Sequence, residues 1–323
     1  WTINNRMHDK YIIADNELVI IGGRNIGDKY FAPEWYEKSV TNDRDVVILN
    51  YKNDKNSAVN QVSAYFNEIW THNYSKDVHL MTRSVFRKKA SLRVNNMRKK
   101  ANIAREMYSE QFKKLPNLYD LSTATNKVTF IHNPINRFFK EPWCWYELIQ
   151  LSKNSKGPIF IQSPYVIPNK KMIKGLIDLE EIKDMDITIL TNSLASTPNL
   201  PAFSGYQNYR KKIVDHNIKI LEIQSLDSIH SKAYVFDRKI VAIGSFNLDP
   251  RSAFLSTESM LVINSEELVK EFRTNIFDYI DDSLLVNKDY KYDDDIDTIK
   301  VSLVKRLLIR LLAIILGFFD YLL

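Results

Sequence analysis

An internal repeat limits what this chain can fold into more than any other feature. Residues 8–25 read HDKYIIADNELVIIGGRN, and residues 230–247 read HSKAYVFDRKIVAIGSFN. Both fit His-x-Lys-x4-Asp-x6-Gly-[Gly/Ser]-x-Asn without a gap, the mark of a duplicated structural unit. In each copy an apolar run meets a two-residue turn, Asp15-Asn16 or Asp237-Arg238, and then a second apolar run. That order predicts a β-hairpin. Each hairpin is followed by a strand-like run (45–51; 258–264) and then an amphipathic helical pattern (57–70; 266–280).

Upstream of the second hairpin, strand-like and helix-like segments alternate: 158–163, 170–182, 187–191, 204–216 and 218–223. Such alternation predicts an α/β fold. The expected architecture is two similar lobes, each a mixed, mostly parallel β-sheet flanked by helices, with the active site between them. No such half precedes the first hairpin, so the first lobe is expected to lack its N-terminal part. The expected domains are 1–150, the C-terminal part of the first lobe with a basic helical segment at 83–114, and 151–282, the second lobe. An acidic linker at 283–300 and an apolar membrane-associating segment at 301–323 follow.

Composition adds limits. A chain that is 45% hydrophobic and 26% charged is globular, which excludes a coiled coil or a disordered chain. The single cysteine, Cys144, excludes internal disulfides and any cysteine-based zinc site. The net charge of +6 is uneven: residues 83–114 hold eleven basic residues against Glu106 and Glu110, so the remainder is net acidic. A local basic patch fits an anionic partner surface, lipid or nucleic acid, or a solvated helix face.

The repeated residues suit phosphoryl transfer. Strand alternation puts His8 and Lys10 on one face, and His230 and Lys232 likewise. One imidazole can attack phosphorus while a second protonates the leaving oxygen. The lysines can neutralise a phosphodiester, with Gly23, Asn25, Ser245 and Asn247 at the far ends of the hairpins as substrate-binding candidates. Asp15 and Asp237 sit at turns and are expected to be structural. No metal-ligand spacing stands out, and neither metal nor cofactor is expected.

His8-Asp9-Lys10…Asp15 and His230-Ser231-Lys232…Asp237, with GGRN at 22–25 and GSFN at 244–247, resemble the two HKD motifs of the phospholipase D superfamily. IQSPYVIP (161–168), TNSLASTPNLPAFSGYQNYR (191–210) and GSFNLDPRSAFLSTES (244–259) extend the resemblance, which is greatest to bacterial cardiolipin synthases of the C type. The resemblance implies a histidine nucleophile, His8, and an acid/base, His230, or the reverse order. It implies phosphate binding by Lys10, Lys232, Asn25 and Asn247, and acids that orient the histidines: Glu258 after the second motif and Asp43, with Asp45 as its competitor, after the first. It further implies glycerophospholipid substrates, phosphatidylglycerol or similar. The expected chemistry is phosphatidyl transfer, with phospholipase D-type hydrolysis and a metal-independent nuclease as alternatives.

Residues outside the motifs carry lesser expectations. His72, His79, His132 and His216 lack motif context and read as surface or capping residues. Trp143, Trp145 and Tyr146 could line an acyl-chain entrance or pack between lobes. Ser204 and Tyr206 could edge the pocket, with Ser204 as an alternative helix cap. The segment VSLVKRLLIRLLAIILGFFDYLL (301–323) is interrupted by Lys305, Arg306, Arg310 and Asp320, so it fits an interfacial helix better than a spanning one. The alternative is a helix docked on the lobes. Together these features predict a peripheral or monotopic protein on the cytoplasmic side of a bacterial inner membrane, with an anionic membrane surface as partner and nucleic acid disfavoured.

Overall fold

The repeated sequences fold into matching hairpins because each turn supplies the backbone that a tight hairpin needs. Asp15, Asn16, Asp237 and Arg238 all adopt positive φ, between 54° and 59°, as a two-residue turn matched to strand twist requires. The computed structural model describes residues 5–51, 54–76, 84–114, 116–174, 176–293 and 296–323. His79, Arg83, Asp294 and Asp295 lie outside the described residues, as does the side chain of Arg87.

The first repeat gives β1 (Arg6–Met7), β2 (Tyr11–Ala14) and β3 (Leu18–Gly22), then α1 (Asp28–Phe31), β4 (Thr41–Asn42), β5 (Asp45–Leu49) and α2 (Ala58–Thr71). α3 (Ser84–Met107) and α4 (Ser109–Lys113) come next. They are followed by β6 (Lys127–His132), α5 (Trp143–Asn154), β7 (Ile159–Gln162), α6 (Lys170–Ile173), α7 (Leu179–Lys183), β8 (Ile187–Asn192), α8 (Leu200–Asp215) and β9 (Lys219–Ile223). The second repeat gives β10 (Ser228–Ile229), β11 (Ala233–Phe236), β12 (Ile240–Gly244), α9 (Pro250–Phe254), β13 (Ser256–Thr257), β14 (Ser259–Asn264) and α10 (Glu266–Asp281). Last are β15 (Ser283–Leu285) and α11 (Leu303–Leu316).

One compact unit comprises residues 1–63 and 124–323, and another comprises 64–123. In the smaller unit, side chains 88–107 of α3 are exposed throughout, so its basic residues are solvated. The larger unit holds an eight-stranded sheet, β15-β9-β8-β7-β11-β12-β14-β6, and a three-stranded sheet, β2-β3-β5. The alternating segments pair in parallel, β7 with β8 and β8 with β9, as the crossover pattern predicts. The hairpin half is antiparallel, so the sheet is mixed.

Several elements depart from the sequence expectations. β6 and the first half of α5 lie before residue 150 yet serve the large sheet: β6 pairs with β14, and Cys144, Trp145, Leu148 and Ile149 of α5 enter its core. β15, at the start of the acidic segment, pairs with β9. The helix expected at 170–182 is two short helices, because Asp178 starts the second by accepting the Glu180 N–H at 2.9 Å. α8 begins at Leu200, capped by Asn199, so Ser204 is an interior residue whose hydroxyl donates to Leu200 O.

The core explains the cover on both faces of the large sheet. Trp145 of α5 stacks on Phe246 (6.2 Å between centroids) beside Tyr234 of β11, and Phe203, Tyr206 and Ile213 of α8 fill the same layer. Phe160 of β7 faces the other way and meets Phe272 of α10 at 6.2 Å.

The glycine shared by the two repeats has a packing reason. A Cβ on Gly244 would overlap the backbone of Ser259 and Met260, and one on Gly22 would overlap Arg44 and Asp45. Gly244→Ala should therefore cost about 2–3 kcal/mol, since the obstacle is strand backbone rather than a side chain that can turn away. Denaturant unfolding measures this; a loss below about 0.5 kcal/mol would contradict the close approach.

Candidate active site

Two short parallel strand pairs cross between the repeats. β1 runs beside β13, with Arg6 opposite Ser256 and Met7 opposite Thr257. β10 runs beside β4, with Ser228 opposite Thr41 and Ile229 opposite Asn42. Each pairing extends by one backbone bond, His8 N–H to Thr257 O (3.2 Å) and His230 N–H to Asn42 O (2.7 Å). The next residue on each partner strand is an acid. Thus each histidine is delivered to the carboxylate that follows the other motif.

The side chains complete this crossing. His8 Nδ1 lies 3.0 Å from both carboxylate oxygens of Glu258. His230 Nδ1 lies 2.6 Å from Asp43 Oδ2. Ser245 donates its hydroxyl to Glu258, and Asp43 Oδ1 accepts the Arg44 N–H at 2.9 Å, so both acids are themselves held. An Nδ1–H donated to a carboxylate leaves the Nε2 lone pair as the reactive nitrogen. Asp45, the competing candidate, instead pairs with Arg24 at 2.5 Å.

Burial sets the charges. His230 is pushed down to about 4 by burial, with the Lys232 ammonium adding to the shift and the bond to Asp43 opposing it. Burial alone would raise Asp43, but Lys232 and the hydrogen bond from His230 outweigh it and hold the carboxyl below the usual range. Burial also brings Lys232 down to about 7, against the pull of Asp43 and with the help of Lys10. Lys10 is lowered chiefly by burial, with Glu258 opposing. Two desolvated amines and two anchored imidazoles make a site in which an anionic phosphodiester would favour the charged forms.

The remaining expected site residues fall into distinct roles. Gly23 gives room: a Cβ there would lie 3.0 Å from Lys232 Cδ and overlap Asp43 Oδ1. Its N–H is already donated to Arg44 O. Asn25 donates to Tyr30 OH at 3.0 Å, while Asn247 keeps a buried Oδ1 without a described partner. Ser245 is buried with its hydroxyl committed to Glu258, which makes it a support for that acid rather than a surface group. Asp237 accepts from Ser155 Oγ (2.6 Å), Lys156 N (2.8 Å) and Gly157 N (2.5 Å), which fixes the entry to β7. Asp15 occupies the matching turn of the first hairpin.

Outside the motifs, Tyr206 departs from its expected place at a pocket edge, while Trp145 and His216 take the packing and capping roles read for them. Trp145 and Tyr206 are core residues, and Tyr206 donates to the buried Glu222 at 2.5 Å, so neither edges a pocket at the motifs. His216 caps α8, with Nδ1 at 2.6 Å from Lys212 O.

Sequence reading missed four supporting side chains. Tyr30 stands edge-on to the His230 ring at 5.4 Å between centroids. Arg24 donates to Asp43 O at 2.7 Å, and Arg44 donates to Gln162 Oε1 at 3.1 Å and Asn275 O at 2.8 Å. Asp9, the variable residue of the first motif, accepts from the Thr257 hydroxyl, whose oxygen accepts the His8 N–H at 3.3 Å. The GGRN tetrapeptide was the available signal for Arg24; the others have no signal short of the fold.

Residues 148–280 match the family described as "Cardiolipin synthase, PLD-like domain". A protein of Helicobacter pylori described as uncharacterised is 29% identical over 311 residues, which cover 87% of this chain and 58% of that protein. Cardiolipin synthase C of Escherichia coli is 27% identical over 297 residues, covering 83% of this chain and 60% of the relative. This chain thus spans about three-fifths of the length of these curated relatives. Among solved structures, phosphatidylserine synthase of Haemophilus influenzae is similar in fold, with a TM-score of 0.63 at 12% identity, covering 98% of this chain and 71% of that one. The resemblance to the phospholipase D superfamily, cardiolipin synthase type, holds for this chain.

The depressed His230 has a measurable consequence. Below about 6.5 the unfolded chain takes up a proton that folded His230 refuses until about pH 4, so its contribution to stability is lost as pH falls through that window. Nuclear magnetic resonance titration should place the His230 midpoint near 4, and Lys232→Met should raise it by removing the neighbouring ammonium. An ordinary midpoint in the unsubstituted protein would contradict this electrostatic description.

Proposed function

We propose that this phospholipase D-like chain is the catalytic body of a phosphatidyltransferase of cardiolipin synthase type, working through a phosphohistidine. The crossed pairing of two histidines with two buried acids carries the reading. It supplies two imidazoles with oriented Nε2 atoms, beside two lysines suited to non-bridging phosphate oxygens.

In this mechanism His8 Nε2 attacks the phosphorus of a glycerophospholipid. The P–O bond to the headgroup alcohol breaks, and His230 gives that oxygen a proton. His230 then takes the proton of an acceptor hydroxyl, whose oxygen attacks phosphorus as the P–N bond to His8 breaks. Binding of the anionic substrate favours the charged forms of Lys10 and Lys232, and its negative charge raises His230 toward the protonated state its first step needs. Glu258 and Asp43 hold each ring in place and stabilise the imidazolium when it forms. With phosphatidylglycerol as both donor and acceptor the product is cardiolipin; with water as acceptor the same steps give hydrolysis.

α11 supports work at a membrane surface. No helix among the described residues is long and apolar enough to cross a bilayer. α11 instead rests on α8 on the side of the buried Ile309, while Leu307, Leu311 and Ile314 are exposed on its outer side and Phe318 is exposed in the turn that follows. An amphipathic helix of this kind lies in the interface plane, so we read the protein as peripheral, on the cytoplasmic side of the inner membrane.

Three measurements test this reading on full-length protein. His8→Asn and His230→Asn should each lower transfer from a soluble short-chain phosphatidylglycerol by at least about a thousandfold. Only His8→Asn should also abolish covalent phosphate labelling; normal turnover in either variant would refute the mechanism, and loss of label in His230→Asn alone would reverse the order. Replacing Leu307, Leu311, Ile314 and Phe318 together by Ser should release the protein from vesicles while turnover of the soluble donor persists. Undiminished vesicle binding would mean that α11 does not face lipid.

A further inference from the structure

α11 divides its circumference three ways. At 3.6 residues per turn, Ile309 and Ala313 fall on one side, where Ile309 is buried and Asn208 of α8 donates to Ala313 O at 2.9 Å. Leu303, Leu307, Leu311 and Ile314 fall on the exposed apolar side, and Phe318, in the turn after the helix, is exposed as well. Arg306 and Arg310, one turn apart, fall on the border between the two.

Both arginines line a cavity of about 290 Å³, along with Gln207 of α8, Ser193 and Gln224. Its inner wall holds Glu222, whose charge is already answered. Glu222 accepts from Arg210 Nε at 2.6 Å, from Tyr206 OH at 2.5 Å and from Tyr292 OH. Arg306 and Arg310 differ from Arg210 in this respect. Neither side chain makes an ion pair or hydrogen bond with a described residue. Two uncommitted guanidinium groups thus line a cavity that also carries amide and hydroxyl groups. Guanidinium forks match the oxygens of a phosphate two at a time.

The geometry points to a phosphate-binding site separate from the reaction centre, in which Arg306 and Arg310 hold the headgroup phosphate of an anionic phospholipid. The position of the forks selects a lipid over a free phosphate. They lie where the docked side of α11 gives way to its apolar side, so a phosphate held there has acyl-length apolar surface beside it and polar walls beneath it. The inference rests on the membrane reading of α11 and names the lipid class that would anchor it. Such a lipid would be bound as an anchor, not consumed.

The test uses the full chain with vesicles of phosphatidylcholine alone or with a minor fraction of phosphatidylglycerol. Arg306→Gln with Arg310→Gln should weaken binding to the anionic vesicles by about thirtyfold, from roughly a fivefold loss per basic residue, and leave binding to phosphatidylcholine alone unchanged. Arg306→Lys with Arg310→Lys keeps the charge but removes the forks, and should still lose about fivefold. Wild-type affinity in the lysine pair would overturn the site in favour of diffuse surface charge.

A second arm measures thermal protection by glycerophosphoglycerol and by inorganic phosphate, as the difference between the unsubstituted protein and the lysine pair. That difference cancels binding at the reaction centre, which the substitutions do not touch. Protection by the glycerol diester that the lysine pair loses supports the headgroup assignment; equal protection by inorganic phosphate would overturn it in favour of a free-phosphate site. If no form of the protein binds vesicles, the membrane reading fails, and the soluble arm still decides the site. Absence of any differential protection would then overturn it as well. Turnover of a soluble short-chain donor should be the same in all forms.

Discussion

The exchange of acids between the two motifs is the interaction on which the rest of the site depends. Had each histidine met the acid of its own repeat, one lobe could hold a complete dyad, and the lobes could separate without chemical consequence. Instead His8 needs Glu258 and His230 needs Asp43. The strand pairs that bring them together, β1 with β13 and β10 with β4, are only two residues each. Such short ladders contribute little stability by themselves. Their register is set by the larger sheets on either side, and Arg44 fastens one crossing by reaching Gln162 and the Asn275 carbonyl while lying over Phe272 at 5.1 Å. The geometry of the candidate site and the association of the two repeats are therefore one constraint.

That constraint also fixes the electrostatics. Lys232 is buried and Lys10 half-buried, and burial lowers both amines. Asp43 and Glu258 limit the fall but are committed to the histidine rings. Two desolvated lysines beside the paired rings suit an anion, as the proposed phosphodiester substrate would be. A site built this way favours a charged ester over a neutral one without any headgroup contact. Such a ligand would add to the offset that Asp43 and Glu258 already give the desolvated lysines.

Much of this was legible in the sequence because duplication prints the same physics twice. The paired left-handed turns, the Gly that a neighbouring strand crowds and the His-x-Lys alternation all have local causes, and each appears at the same offset in both copies. Asp43 and Glu258 were legible as acids following each motif. Which histidine each acid serves was not, because crossing is a property of tertiary pairing rather than of periodicity. For the same reason β6 could not be assigned to the large sheet: its pairing with β14 spans more than a hundred residues of chain. The start of α8 was misplaced because Asn199 and Ser204 are both acceptable caps, and only the backbone at Asn199 shows which one is used. Tyr30 and Arg44 act through aromatic and carbonyl contacts with distant partners, and nothing in their neighbourhood marks them.

The tail joins the same framework from the outside. Arg251 of α9 donates to Leu322 O, and Tyr209 of α8 donates to Asp320, so the segment after α11 is tied to both helices. α9 follows the second motif directly and is capped by Asp249, which accepts the Ser252 N–H at 2.7 Å. Asp249 is itself raised to about 6 by burial, with the Ser252 bond opposing the shift. The segment after α11 is therefore fastened to the helix that directly follows the second repeat, and the apolar side of α11 is exposed. A docked helix and a lipid-facing helix need not be alternatives. One side of α11 packs on α8 and the opposite side is apolar and exposed, with Arg306 and Arg310 between the two.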